Sequence, residues 1–195
     1  MTTLLLARHG ETDWNREQRF QGRADPPLNQ TGRAQAVELS VALAADRLAA
    51  VYSSPLRRAL ETAEIVAGAH DQEPVPVDAL MEIDVGSWQG LTRLEIEQGH
   101  PEQFARWRDY ASGFGFSDGE SYERLGARVI PALLELAAAH PGERLLAVTH
   151  AGPIRAALAH IDSISLAEAR RREPAIANAS VVELAVEDGN LRRIH

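Results

Sequence analysis

The stretch Thr2-Thr3-Leu4-Leu5-Leu6-Ala7-Arg8-His9-Gly10-Glu11-Thr12-Asp13-Trp14-Asn15 decides how the chain is read. Its first part is a short apolar run that stops on a cation, an imidazole and a glycine. Such a run predicts a buried strand over Thr2 to Ala7 that opens into a loop. In an α/β sheet the chemistry gathers at the carboxyl ends of the strands, so Arg8 and His9 are expected at a site.

The same pattern recurs outward from this stretch. Leu48 to Tyr52 reads as a second strand, followed by Ser53-Ser54-Pro55, where Ser54 is expected to N-cap a helix reaching about Ala69 and Pro55 to fill its first position. Val75 to Val77 is a short strand, and Arg144 to Thr149 is a mostly apolar one that ends at His150. Thr31 to Ala45 reads as a helix with Ala34, Val37, Val41 and Ala44 on one face. Further helices are expected near Leu91 to Gln98, Pro101 to Tyr110 and about Gly152 to Ala159. Ser121 is expected to cap a long helix carrying Leu125, Val129, Leu133 and Leu136, which Pro131 should bend or divide. Asn178-Ala179-Ser180 introduces a strand to Val186, turned at Asp188-Gly189-Asn190 into a last one. Strands alternating with helices predict an α/β three-layer sandwich with a mainly parallel central sheet and helices on both faces. The expected organisation is one domain over 1–195 with a cap-like insertion at about 78–121.

Composition removes several function classes. The 195 residues hold 20 basic and 28 acidic side chains, a net charge of −8, which disfavours nucleic acid or an anionic membrane as partner. All the basic residues are arginine, and there is no cysteine. Thiol nucleophiles, Cys-type metal sites, Schiff-base lysines and a Walker A lysine are therefore out. No apolar run is long enough to span a membrane and the start lacks the features of a signal peptide, so a cytoplasmic enzyme is expected.

Three strand ends carry charge or imidazole: Arg8-His9, Arg57-Arg58 and His150. Brought to one crevice they form a cationic pocket, and guanidinium forks suit phosphate oxygens. Ala151 and Gly152 open a helix and could add backbone N–H donors.

With these residues placed, the sequence resembles the histidine phosphatase superfamily, which includes cofactor-dependent phosphoglycerate mutases and small phosphatases. Its signature Arg-His-Gly-Glu/Gln-Ser/Thr-x-x-Asn stands as Arg8 to Asn15. Later blocks follow in order: Gln21-Gly22 with Asp25-Pro26-Pro27-Leu28 and Gly32, then Ser53 to Ala59, Glu82 to Gly90, and Thr149-His150-Ala151-Gly152. The resemblance implies phosphoryl transfer through a phosphohistidine on His9, without metal or cofactor. It implies Arg8, Arg58 and His150, supported by Asn15 and the Ala151 amide, as holders of the phosphoryl oxygens, and Glu82 as proton donor, with Glu11 the weaker rival. Ala151 departs from the glycine many members carry there.

Within the family the mutase branch keeps a basic residue, a Tyr-Gly pair and a lysine after its donor glutamate; here stand Ile83, Val85-Gly86 and Arg93. The longer mutase insertion between Glu82 and His150 is also missing. The resemblance thus implies a metal-independent hydrolase of small phosphomonoesters, with phosphoglycerate mutase or a non-catalytic phospho-ligand binding module as alternatives. Homodimerisation is left open. The aromatics of Pro101 to Gly119 are expected mostly to pack a cap. Arg170-Arg171-Arg172 reads as a solvated helix face, and His70, His100, His140, His160 and His195 as bystanders.

Overall fold

The computed structural model describes residues 1–173 and 175–194. His195 lies outside them. The strands are β1 (Thr2–Arg8), β2 (Leu48–Ser53), β3 (Val75–Pro76), β4 (Arg144–Thr149), β5 (Val181–Glu187) and β6 (Asn190–Arg193). They form one sheet in the order β3-β2-β4-β1-β5-β6. The pairings among β1 to β4 are parallel, and β5 and β6 close one side antiparallel. The hairpin between them turns at Asp188 and Gly189, both at positive φ, as the right-handed twist of a two-residue turn demands.

β1 is apolar on both faces because it is covered on both. Leu4 and Leu6 share a core with α6 (Tyr122–Ala139) and α7 (Ala151–Ile161), through Leu125, Val129, Leu133 and Ile154. Leu5 and Ala7 pack on the other side against α2 (Gln30–Leu43) and α3 (Arg57–Gly68), through Leu39, Leu43, Ala63 and Val66. Each leucine so buried contributes about 1.5–3 kcal/mol. This is the three-layer α/β arrangement expected from the alternating pattern. β1 and β4 lie side by side with Arg8 opposite Thr149, so the residues that follow, His9 and His150, leave the same edge in step.

Two local expectations are corrected. The face of α2 proposed from spacing, Ala34, Val37, Val41 and Ala44, is the solvent face, with Val37 and Val41 52% and 71% exposed. The buried stripe is Gly32, Ala36, Leu39, Ser40 and Leu43. Its rotation is set by a backbone contact: a Cβ on Gly10 would lie 2.4 Å from the Gly32 carbonyl oxygen, and one on Gly32 would lie 2.1 Å from that of Glu11. Only glycine lets the first turn of α2 come this close to the end of β1. Secondly, α3 begins later than expected, at Arg57 after Leu56; the Ser54 hydroxyl accepts from the Leu56 N–H at 3.3 Å and also meets His150 Nε2 at 2.8 Å. α6 runs through Pro131 undivided, since the proline sits on its exposed side, where the Ala127 carbonyl can be hydrated.

Residues 78–121 carry two 3₁₀ turns (Asp78–Leu80 and Gly86–Trp88), α4 (Arg93–Gly99) and α5 (Pro101–Arg108). They are knit by fully buried Trp88, which meets Phe20, Trp107 and Phe116 edge-on with ring centroids 5.4, 6.0 and 5.1 Å away. The remaining helices are α1 (Asp13–Arg16) and α8 (Leu166–Arg172).

Gly32→Ala should lower stability by about 1–3 kcal/mol, the usual cost of overpacking. Gly126→Ala, in α6 with nothing near its added methyl, should raise it by up to about 1 kcal/mol. Urea unfolding of the two variants checks the pair.

Candidate active site

Parallel pairing of β1 with β4 brings the His9 and His150 rings together, with centroids 5.1 Å apart. Both are buried, and the His9 amide donates to the Thr149 carbonyl at 3.0 Å, tying the two strand ends. His9 Nδ1 donates to the Gly10 carbonyl at 2.6 Å. A carbonyl can only accept, so the ring proton is on Nδ1 and Nε2 keeps its lone pair. Gly10 is braced in turn, its N–H donating to Thr62 Oγ1 (3.1 Å), whose hydroxyl donates to the Arg58 carbonyl (2.7 Å).

Arg58, at the start of α3, is fully buried, whereas its neighbour Arg57 points to solvent. The Arg58 guanidinium donates to the carbonyls of Ala24 (2.7 Å) and Gly22 (2.8 Å), which hold it in place without neutralising it. Arg8 is held the same way by the Ile176 carbonyl. Among the described residues the Nε of both arginines has no partner, and neither does Nδ1 of His150, whose Nε2 meets Ser54 Oγ at 2.8 Å. Burial pushes both guanidiniums down to about 10, still charged at neutral pH. Burial first, and then the Arg58 and Arg8 charges, hold both imidazoles well below their ordinary value, hence neutral.

Glu82 reaches the same place from the loop after the first 3₁₀ turn. Its carboxylate accepts from the N–H of Ile83 (2.9 Å) and of Gly152 (3.1 Å), the second residue of α7. A Cβ on Gly152 would stand 2.1 Å from Glu82 Oε1, so this seat needs glycine. The Glu82 carbonyl is held by Arg128, itself gripped by Glu120 at 2.7 Å.

Arg8, His9, Asn15, Arg58 and Glu82 all line one cavity of about 210 Å³. Asn15 commits Oδ1 to Thr12 and Asn178, so its amide nitrogen is the group it can offer an anion. His150 is not among the residues lining this cavity; its ring stands beside that of His9. Ala151 also lies elsewhere: it lines an adjoining outer chamber, and the Glu82 carboxylate takes up the neighbouring Gly152 N–H. Arg170 is not solvated as expected. It is half-buried, stacked 4.0 Å over Trp107, while Arg171 and Arg172 pair with Glu168. Among the expected bystanders, His140 bonds Tyr52 and Glu143 away from this site. Ser54 and Arg155 are site residues that pattern reading passes over. Arg155 had a signal in its spacing, one helical turn beyond Gly152.

With this geometry established, comparison with known proteins is decisive: the profile of the histidine phosphatase superfamily (branch 1) matches residues 4–194. The chain belongs to the histidine phosphatase superfamily. It is 37% identical over 156 residues to phosphoserine phosphatase 1 of Hydrogenobacter thermophilus, covering 80% of this chain and 74% of that one. To the metal-independent phosphoserine phosphatase of Arabidopsis thaliana it is 38% identical, covering 86% and 71%. Among solved structures, YhfR of Bacillus stearothermophilus superimposes with a TM-score of 0.90 at 36% identity, covering 99% and 95%. With such relatives the chain is a phosphatase of small phosphorylated metabolites, and the mutase alternative is not favoured. No helix among the described residues is long and apolar enough to cross a membrane.

The buried imidazoles set a pH dependence of stability. In the unfolded chain they take up protons near pH 6.5, in the folded one only well below that. Between those values the unfolded state binds more protons, so stability falls as pH falls through this window, by up to about 1.4 kcal/mol per pH unit for each ring. Above about pH 7.5 the two rings contribute no slope. Denaturant titrations from pH 8 to 5 should show the fall, and His9→Ala should make it shallower.

Proposed function

We propose that the protein hydrolyses phosphomonoesters in two steps, with Nε2 of His9 as the phosphoryl carrier. The observation that carries this reading is the set of buried polar atoms around His9 without protein partners: Nε of Arg8, Nε of Arg58 and Nδ1 of His150. Buried polar atoms left unsatisfied cost about 1–3 kcal/mol each, so such a cluster marks where a ligand completes the bonding. When the Ser54 hydroxyl donates to His150 Nε2, Nδ1 carries the ring proton and becomes a donor. Two cations and this N–H then suit the equatorial oxygens of a transferring phosphoryl group.

In the first step the His9 Nε2 lone pair attacks phosphorus, the bond from phosphorus to the ester oxygen breaks, and Glu82 protonates the departing oxygen. In the second, water attacks the phosphoimidazole, Glu82 takes its proton, the phosphorus–nitrogen bond breaks and phosphate leaves. The neutral state of His9 provides the nucleophile at neutral pH without prior deprotonation. Beside Glu82 the cavity wall is Ile83 and Val85, both buried. They supply none of the cationic or hydroxyl contacts that the mutase branch keeps at these two positions, which supports discharge to water over return to the substrate. Residues 78–121 serve in this reading as a cap within a single domain. The phosphoserine phosphatase relatives support an amino or hydroxy acid phosphate as substrate.

Rapid quenching with a labelled phosphomonoester tests this. Acid-labile, base-stable label should appear on His9, with free phosphate as product, and His9→Ala should abolish both. In Glu82→Gln, p-nitrophenyl phosphate, which needs no acid to depart, should still label His9, and the label should persist because the second step has lost its base. An unlabelled His9 during turnover, or isomerisation of 3-phosphoglycerate outrunning its hydrolysis, would overturn the proposal.

A further inference from the structure

Next to the phosphoryl cavity lies the outer chamber, of about 660 Å³, which shares Arg8, Asn15, Arg19, Arg155 and Arg170 with it. Among the described residues its lining contains six arginines, Arg8, Arg19, Arg93, Arg108, Arg155 and Arg170, and no carboxylate. In a chain of net charge −8 this is a local inversion of sign. The six are not equivalent. Arg19 pairs with Glu17 and Glu95, Arg108 pairs with Asp109 and Glu97, and Arg8 belongs to the phosphoryl site. Arg93 is exposed, 5.6 Å from the Trp107 ring.

Arg170 is held differently. Its guanidinium lies 4.0 Å over Trp107 and 4.3 Å over Tyr110 and donates to the Trp107 carbonyl, so two ring faces and a carbonyl fix the fork in place. Arg155 stands on α7 one turn beyond Gly152, with Nε donating to the Glu173 carbonyl at 3.1 Å. Burial lowers the proton affinity of both, opposed by the Glu82 carboxylate for Arg155 and by Tyr122 and Tyr110 for Arg170. Two oriented guanidiniums at the border of the reaction cavity, in a chamber whose described lining holds no carboxylate, are a place where an incoming anion can be met.

We propose that Arg155 and Arg170 form a second anion subsite, which selects phosphomonoesters whose leaving group bears its own negative charge, a carboxylate or a second phosphoryl group. This rests on the reading that the inner cavity holds the phosphoryl group under attack. The substrate then lies across the two cavities with one anion in each. Both oxygens of a carboxylate, or two of a phosphoryl group, match a guanidinium fork. An ester of a neutral alcohol fills the inner cavity and gives the outer guanidiniums no anion to bind.

Steady-state kinetics on matched pairs tests the subsite. 3-Phosphoglycerate and glycerol 3-phosphate differ by a carboxylate against a hydroxymethyl group; propane-1,3-diol bisphosphate and 3-hydroxypropyl phosphate differ by the second phosphoryl group. At least one charged member should exceed its neutral partner in kcat/KM by about tenfold or more, the scale of a hydrogen bond to a charged group, and the pair that does so identifies the anion. Arg155→Gln and Arg170→Gln should each shrink that ratio several-fold, mainly through KM, and Arg170→Lys should shrink it less. Equal turnover within both pairs would overturn the subsite, as would ratios unchanged in both glutamine variants. The phosphatase reading fails separately, if no phosphomonoester is turned over and His9 takes no label.

Discussion

Positive charge buried around a neutral imidazole is the constraint on which the rest of the molecule turns. Arg8 and Arg58 cannot be neutralised by carboxylates without defeating an anion site, so the fold holds them with backbone carbonyls instead. Those carbonyls come from the Gly22 to Ala24 loop and from Ile176. The same two charges, added to burial, keep His9 unprotonated, and the Gly10 carbonyl then fixes which nitrogen faces the cavity. Sheet register, glycine contacts and the bracing of Thr62 all serve that placement. Glu82, the one carboxylate lining the cavity among the described residues, rests against the first turn of α7, where the Gly152 N–H donates to it.

The cap and the outer chamber follow from the same economy of charge. Trp88 and its ring partners supply a rigid apolar knot, and Trp107 presents one face of it to Arg170. A guanidinium stacked on indole stays charged and oriented without a carboxylate that would cancel it. Arginine suits both tasks better than lysine could, because its planar fork retains its charge under burial.

Much of this was legible in the sequence. β1 and β4 are covered on both faces, so their apolar runs stand out, and the residues ending them, Arg8, His9 and His150, carry chemistry that a strand interior would not. The choice of Arg58 over Arg57 came from the family block, and the structure buries the one and exposes the other. What was not legible depends on tertiary contacts. The α2 sequence offers two apolar stripes of the same period, and only the approach of Gly10 to Gly32 decides between them. Ser54 satisfies the local rule for a helix entrance and accepts from the Leu56 N–H, but that its hydroxyl also meets a histidine distant in sequence is visible only in the fold. Ala151 and Gly152 are adjacent and alike as amide donors, and which of them faces the cavity depends on where Glu82 arrives. Arg155 and Arg170 read as ordinary helix-surface charges until α7, α8 and the cap are assembled.

The central claim is that His9 rests as a neutral imidazole with its proton on Nδ1 and its Nε2 lone pair free. Long-range ¹H–¹⁵N correlation spectra of protein labelled at histidine nitrogen measure this directly. The account predicts a protonated, pyrrole-type Nδ1 and an unprotonated, pyridine-type Nε2 for His9 at pH 7, unchanged on titration to well below pH 6.5. An imidazolium at pH 6.5, or the opposite tautomer, would contradict it.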